Sequence, residues 1–113
     1  MVQIKNEIYN PVDYLRHIQD HVDFLMKISK EHDSIFIVED ETLSRAVLRS
    51  LRVIEQATLR IDSSFKEKNK EIPWNELTAF KNVLGLDVDY NRVRSIIEND
   101  IPELETKIDK LLN

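Results

Sequence analysis

The sequence contains no cysteine, only one glycine and only three prolines. Without cysteine the chain cannot form disulfide bonds or use thiolate chemistry, and this absence favours a reducing, intracellular location. Glycine and proline are the residues that tight turns need, so their scarcity argues against a sheet of many short strands. The composition therefore predicts an all-α protein.

Long hydrophobic runs are missing as well. The N-terminal segment MVQIKNEIYNPVDYL lacks the apolar core of a signal peptide, and no run reaches the length of a transmembrane helix. We therefore expect a cytoplasmic protein with no membrane segment. The formal net charge of −5 provides no general attraction for nucleic acid, so any contact with RNA must come from a local basic face.

The chain has 113 residues, of which 42% are hydrophobic and 33% are charged. This length is sufficient to bury one core, and the apolar content is too high for a disordered chain. No linker, internal repeat or low-complexity tract divides it. We therefore expect residues 1–113 to form a single helical domain, built as an up-and-down antiparallel bundle of four main helices.

Capping residues and apolar spacing predict where the first two helices lie. The first begins at Asn10 and the proline after it, and it runs to about residue 30. The second begins after Asp40 or Thr42, and its apolar stripe continues through Ile61 and Phe65. Between them, the segment EHDSIFIVEDE is interpreted as a loop or a helical turn, because no second strand candidate exists to pair with it.

The only glycine separates the third and fourth helices. Pro73 opens the third helix, and Gly85 is expected to end it in the left-handed conformation that terminal glycines often adopt. Asp89 caps the fourth helix, whose apolar residues recur every three or four positions as far as Leu111. Because Pro102 lies inside this pattern, we expect either a kinked helix or two nearly coaxial helices.

The apolar stripe of the fourth helix, from Val93 to Leu111, is longer than we expect one small core to absorb. Part of it should then be buried against a second copy of the chain. The stripe therefore predicts a homodimer, which sedimentation would test.

Two groups of polar residues are candidates for chemistry. His17 and His21 lie four residues apart on one face of the first helix, but no third ligand accompanies them, so we predict no metal site and no cofactor. Arg45, Arg49 and Arg52 form a basic ridge on the second helix, and these arginines are candidates for binding RNA. The alternative is that they pair with neighbouring glutamates or with acidic residues of a partner subunit.

Residues 46–104 resemble the HepT-like family of the HEPN superfamily in the order of several motifs. AVLRSLRVIEQA matches a family helix of the form AVLRNLxxIGEA, with Glu55 at the glycine, which suggests a looser or rearranged contact there. EIPW, the Lys81-Asn82 pair, VDY and DIPEL then follow in the family's order. The segment YLRHIQDHVDFL also suits the family's first helix, so the resemblance covers nearly the whole chain.

The resemblance implies a helical bundle that forms a homodimer and pairs with an MntA-type minimal nucleotidyltransferase in a type VII toxin–antitoxin system. It also implies a metal-independent endoribonuclease with an Arg-x-x-x-x-His active site, usually followed by a tyrosine that the partner modifies with AMP. In such a site the cation would neutralise the scissile phosphate, and the imidazole would transfer a proton.

This sequence differs from the family motif at several positions. Lys81 stands at the arginine, Asn82 at the asparagine and Leu86 at the histidine. A few residues are missing before Val88, so no residue occupies the position of the modified tyrosine, and Tyr90 matches the leucine of the family's VDL. Leucine cannot transfer a proton, whereas lysine can still neutralise a phosphate as a point charge.

These observations lead to three hypotheses about function. We favour a catalytically degenerate HepT-like subunit that acts by dimerising and by binding its nucleotidyltransferase partner or RNA. The first alternative is an active RNase with a rearranged site, in which Lys81 works with arginines of the second helix or with a histidine of the first. The second alternative is a plain helical interaction protein.

Overall fold

Helices are the only regular elements in residues 8–113, the part of the chain that the computed structural model describes. In chain order they are α1 (Pro11–Glu31), α2 (Ser34–Glu39), α3 (Glu41–Arg60), α4 (Ser63–Lys68), α5 (Trp74–Thr78), a 3₁₀ helix (Ala79–Val83), α6 (Tyr90–Ser95), a π turn (Ile96–Asp100) and α7 (Ile101–Leu112). None of these described helices is both long enough and apolar enough to cross a membrane. The all-α prediction is confirmed.

Side-chain caps start three of the helices at the predicted residues. Asn10, Asp40 and Asp89 each accept a hydrogen bond from a backbone N–H two or three residues later, at 3.0, 2.9 and 3.0 Å. Such a bond satisfies one of the N–H groups that the first turn of a helix leaves unpaired. Asp40, rather than Thr42, is therefore the residue that begins α3.

The long helices run antiparallel to one another. Tyr9, just before α1, donates a hydrogen bond of 2.6 Å to Asp62, just after α3, so the start of α1 lies beside the end of α3. Gln19, in the first half of α1, donates to Asp109 near the end of α7 at 3.0 Å. These contacts confirm the up-and-down bundle, whose main helices are α1, α3, the α5–3₁₀ segment and the continuous stretch from α6 to α7.

The segment between the first two long helices adopts the helical alternative. Asp33 caps the six-residue helix α2 by accepting the backbone N–H of Phe36 at 2.9 Å. The Ser34 hydroxyl donates to Glu98 of the π turn and accepts from the Arg94 guanidinium at 3.1 Å. These bonds attach α2 to the last helix.

The second long helix is shorter than its apolar stripe predicts. α3 ends at Arg60, and Ile61 has an extended backbone with φ −86° and ψ 131°. Phe65 belongs to the separate helix α4. The prediction that one helix continues through Ile61 and Phe65 is therefore wrong. The chain bends at Asp62, whose backbone N–H donates to the Tyr9 hydroxyl at 2.8 Å.

Pro102 is accommodated by a π turn rather than by a break. Proline offers no N–H to the preceding turn, and its ring crowds the carbonyl four residues earlier. Residues Ile96–Asp100 widen into a π turn just before it, where the N–H of Ile101 bonds to the carbonyl of Ile96. The wider turn shifts the helical phase, but Val93 before it and Leu104 after it are both buried, so the predicted apolar face continues across Pro102.

The apolar stripe of the last helix is absorbed by the protomer's own core. Five of its residues are at most 3% exposed within the single chain: Val93, Ile97, Ile101, Leu104 and Ile108. They pack along α1 and belong to the same core cluster as the buried residues of α3. The premise that this stripe is too long for one core is therefore wrong, and the stripe gives no support for a homodimer.

Candidate functional site

Trp74 fixes the start of the segment that carries the motif residues. Its indole N–H donates to the carbonyl oxygens of Lys66 and Asn69, at 3.2 and 3.0 Å. Its ring meets Phe65 nearly edge to face, with centroids 6.2 Å apart. The polar spacer after α4 is thereby attached to the helix that follows it, which is why a tryptophan suits this position.

Lys81 and Asn82 lie on the solvent side of the 3₁₀ helix, and both are exposed. On its opposite side Phe80 and Val83 are buried in the core, as is Leu77 of α5 just before it. The 3₁₀ helix packs against α3, α5 and α6. The core thus holds the backbone of the motif segment and leaves its two polar side chains free to meet a ligand.

The turn after the 3₁₀ helix differs from the predicted glycine cap. Leu84 occupies the C-cap with φ −106° and donates its N–H to the carbonyl of Lys81 at 3.2 Å. Gly85 has a backbone φ outside the left-handed range of +20° to +160°, and a Cβ placed there would meet no atom within 4 Å. The left-handed cap at Gly85 is therefore a wrong prediction, since the turn needs neither positive φ nor a missing side chain.

Leu86 points into solvent. Its side chain is fully exposed, at the position that the resemblance to the family motif predicts for the histidine. An apolar side chain surrounded by water contributes nothing to the core and offers no group that titrates. The segment from Gly85 to Asp87 is exposed throughout.

A cleft of about 320 Å³ lies beside Asn82. Its polar lining residues are Glu76, Asn82, Asp89 and Arg92. Arg92 is held in place by Asp100, whose carboxylate lies 2.9 Å from a guanidinium nitrogen. The cleft thus brings a fixed cation and two carboxylates next to one of the predicted motif residues.

Arg92 was missed in the sequence because its role depends on the tertiary structure. The only local signal is that it lies three residues after the helix cap Asp89 and eight before Asp100, so an ion pair can form across the π turn. Nothing in the spacing indicates that this part of α6 faces Asn82. The Arg92 guanidinium is the one cation among the residues that line this cleft.

The basic ridge of α3 faces solvent. Arg45 is 76% exposed and forms an ion pair of 3.1 Å with Glu41, four residues earlier. Arg49 and Arg52 are exposed as well, and neither forms an ion pair within residues 8–113. An exposed pair such as Arg45–Glu41 contributes little to stability, so its arginine can exchange partners.

The histidines of α1 lie on the side of α1 that faces α3. The rings of His17 and His21 meet edge to face with centroids 5.2 Å apart, and Nδ1 of His21 is 3.0 Å from the Ser50 hydroxyl. Burial lowers the pKa of His21, and the neighbouring His17 and Arg49 lower it further, whereas Asp20 raises it. Across residues 8–113 there is no cluster of three groups able to hold a metal ion.

The structure does not bring these histidines to Lys81. α1 packs against α2, α3 and α7, whereas the 3₁₀ helix packs against α3, α5 and α6. α3 therefore stands between the two groups of residues. Glu55, at the glycine position of the family helix, is buried on α3 and forms no ion pair with another described residue.

The fold and the cleft define a class: a small all-α protein in which the asparagine of a short lysine–asparagine pair lines a polar cleft between the 3₁₀ helix and the last helix. Comparison with known proteins makes the class specific. Residues 18–111 match the family described as HepT-like, "Ribonuclease HepT-like". The chain belongs to this family.

Individual relatives cover nearly the whole chain. "Putative RNase TTE0752" of Caldanaerobacter subterraneus subsp. tengcongensis is 32% identical over 105 residues, which is 90% of this chain and 94% of that protein. "Probable ribonuclease HepT" of Thermococcus cleftensis is 29% identical over 102 residues, covering 88% and 93% of the two chains. "Putative RNase MJ1380" of Methanocaldococcus jannaschii is 24% identical over 99 residues, covering 85% and 91%. No solved structure matches the chain.

Proposed function

We propose that this protein is a catalytically degenerate HepT-like subunit of a type VII toxin–antitoxin pair, which acts by binding rather than by cleaving RNA. One observation supports the proposal: the side chain of Leu86, which the resemblance aligns with the histidine of the family motif, is fully exposed. RNA cleavage without a metal needs one group to accept a proton from the attacking hydroxyl and one to donate a proton to the leaving oxygen. A leucine can do neither.

The remaining motif residues suit phosphate binding. Lys81 can neutralise a phosphate as a point charge, and Asn82 can donate a hydrogen bond from its amide. Arg92, fixed by Asp100 at the rim of the same cleft, adds a planar guanidinium that matches phosphate geometry. Asn82 and Arg92 line the cleft together with the carboxylates of Glu76 and Asp89, whereas Lys81 lies outside its lining. Lys81, Asn82 and Arg92 are the groups that support phosphate binding, and the turn that follows them contains no imidazole.

The rearranged RNase has less support. It requires Lys81 to act with Arg45, Arg49 or a histidine of α1 on one substrate. The histidines face Ser50 on the α1 side of α3, away from the 3₁₀ helix. A single chain thus keeps the imidazoles and Lys81 apart, and only a second copy could join them.

The partner in this proposal is an MntA-type minimal nucleotidyltransferase. The proposal also includes a homodimer and contact of RNA with the basic ridge of α3, formed by Arg45, Arg49 and Arg52. One continuous core joins all the main helices, which supports treating the chain as one HepT-like domain. Apolar side chains that remain exposed, such as Phe24, Ile35 and Phe36, offer surface for a second copy or for the partner. The function of a plain scaffold would not depend on a polar cleft, so the cleft favours this proposal over the scaffold hypothesis.

The experiment is an RNA cleavage assay on the purified full chain at several pH values, together with Lys81→Ala and, as a matched control at the exposed end of α4, Lys68→Ala. We expect no cleavage by any of the three proteins. Cleavage by the wild type and by Lys68→Ala that is lost in Lys81→Ala would overturn the proposal.

A second experiment tests the partner. The tagged chain would be co-expressed with a minimal nucleotidyltransferase encoded beside it, and co-purification and transfer of AMP would be measured. We expect a stable complex without AMP attached to this chain, because no residue occupies the tyrosine position. A chain that neither binds the enzyme nor accepts AMP is the plain scaffold instead.

A further inference from the structure

An exposed apolar patch lies on the outer side of α2, and none of its residues lines the cleft described above. Ile35 and Phe36 are each 49% exposed there, whereas Ser34 and Ile37 of the same helix are buried. The ring of His32 stacks on that of Phe36, with centroids 5.1 Å apart and planes inclined by 23°. We call the surface formed by His32, Ile35 and Phe36 the α2 face.

The α2 face continues into a second cleft, of about 550 Å³. His32 and Ile35 line this cleft, together with the apolar Ile97 of the π turn and Pro102 of α7. The polar residues of its lining are Ser29, Asp33, Ser34, Arg94 and Glu98. The hydrogen bonds that attach α2 to the last helix hold the two walls of this cleft together. The α2 face therefore offers an apolar surface beside a preformed recess.

Carboxylates border the α2 face. Residues 31–44 contain no lysine or arginine, although Lys30 directly precedes them. The acidic residues of this segment are Glu31, Asp33, Glu39, Asp40 and Glu41. All of them except Asp40 are exposed. The surface around the exposed apolar side chains is therefore negatively charged.

Little of this charge is neutralised inside the protomer. Among the carboxylates of this segment, only that of Glu41 forms an ion pair within residues 8–113, with Arg45. In the cleft, Arg94 offsets the charge of the one carboxylate that the π turn contributes, at 3.7 Å. Glu31 ends α1 and Glu39 ends α2, and neither forms an ion pair with another described residue. These two glutamates can therefore pair with cations of another molecule.

We infer that the α2 face docks an amphipathic helix of a protein partner, one whose apolar stripe is bordered by lysines and arginines. Apolar residues of such a helix, three and four positions apart, would cover Ile35 and Phe36. One long basic side chain would enter the cleft, with its aliphatic stem against Ile97 and Pro102 and its charge near Asp33. The remaining cations would pair with the glutamates that flank α2.

Charge complementarity selects this occupant. The carboxylates would repel a polyanion or an anionic membrane surface. They would also repel the α2 face of a second copy, because that face carries the same charges. The inference rests on the proposed function only in assuming that the chain acts by binding a protein. It is independent of whether the chain cleaves RNA.

The test is fluorescence anisotropy of a labelled synthetic peptide of about fourteen residues, titrated with the full chain at low salt. Leucines at helical spacing form its apolar stripe, and lysines occupy the other positions. We expect binding that weakens as salt is added, because salt screens ion pairs at a surface. Two control peptides should bind at least about tenfold more weakly. One has the same residues in an order that breaks the stripe, and the other has glutamate in place of each lysine.

Variants of exposed residues locate the site. Ile35→Ser/Phe36→Ser should weaken binding by at least about tenfold, because it removes both exposed apolar side chains of α2. Glu31→Gln/Glu39→Gln should weaken binding by about three- to tenfold at low salt and change it little at high salt. Leu59→Ser is the matched control, because Leu59 is 61% exposed near the end of α3, far from α2 at its start. This variant should bind as the wild type does.

Several results would overturn the inference. The α2 face is not the site if the lysine–leucine peptide does not bind at low salt, or if the apolar double variant binds it as well as the wild type does. A comparable loss in Leu59→Ser has the same meaning. If the chain alone forms a dimer in sedimentation and the apolar double variant is a monomer, the α2 face is a contact between copies instead.

Amide NMR of the wild-type chain supplies a readout that needs no variant to fold. We expect the peptide to shift most strongly the resonances of residues 31–39 and 97–102. Shifts centred on Asn82 and Arg92, or on the basic ridge of α3, would contradict the inference. The cleavage assay is a separate test. A chain that cleaves RNA and binds the peptide at the α2 face loses the proposed function and keeps this inference, and a chain that does neither has the opposite outcome.

Discussion

The variant Gly85→Ala distinguishes two conformations of Gly85: the left-handed cap that the sequence predicts and the conformation that the structure shows. If Gly85 were a left-handed cap, an alanine there would cost about 1–2 kcal/mol, because its Cβ crowds the following carbonyl. The observed φ lies outside the left-handed range, and the added Cβ meets no atom within 4 Å. The two conformations therefore predict changes of opposite sign.

The expected gain comes from the unfolded chain. Alanine has fewer accessible backbone states than glycine, so Gly85→Ala should raise the free energy of unfolding by about 0.4–1 kcal/mol. For a chain of this size that corresponds to a rise in Tm of about 2–4 °C. Gly85→Asn is the matched control, because asparagine tolerates the left-handed conformation better than alanine does.

Urea unfolding followed by circular dichroism at a helical wavelength would measure both variants against the wild type. We expect the alanine variant to be the most stable of the three, with an unchanged denaturant slope. An alanine variant that loses about 1 kcal/mol or more, together with an asparagine variant that does not, would show that Gly85 is left-handed after all.

Two further predictions concern stability. Partial burial raises the pKa of Asp23, and Asp109 and Asp20 raise it further, so the folded state disfavours the charged carboxylate. Asp23→Asn should therefore increase Tm at neutral pH. The gain should vanish below about pH 3, where the carboxyl is protonated in the folded and the unfolded state. A gain that persists in acid would contradict this electrostatic explanation. Trp74→Phe removes the indole N–H that donates to the carbonyls of Lys66 and Asn69. It should lower the free energy of unfolding, measured in urea, by about 1–3 kcal/mol. An unchanged midpoint of urea unfolding would mean that water replaces the indole as the donor.

The helix starts could be predicted because capping is local. Asn10, Asp40 and Asp89 each bond to a backbone N–H two or three residues away, so a few letters of sequence contain the whole interaction. The end of α3 could not be predicted in the same way. Its apolar phase continues to Phe65, and the bend at Asp62 depends on Tyr9, which lies 53 residues earlier in the chain.

The candidate site was predictable only in part. The order of the motifs predicts that Lys81 and Asn82 are the motif positions and that Leu86 stands at the histidine. Whether those predicted residues act on RNA is a question for the cleavage assay. The place of Arg92 at the cleft could not be predicted, because it depends on the packing of α6 beside the 3₁₀ helix.

By itself, the sequence determined the helical class, the starts of the main helices and the family, because caps, apolar spacing and motif order are properties of neighbouring residues. The tertiary structure decided which surfaces remain free. It buried the stripe from Val93 to Ile108 inside one protomer and left Leu86 in solvent. It also brought His17 of α1 and Arg60 of α3 to one cleft, since helices that are distant in sequence meet only when the core forms.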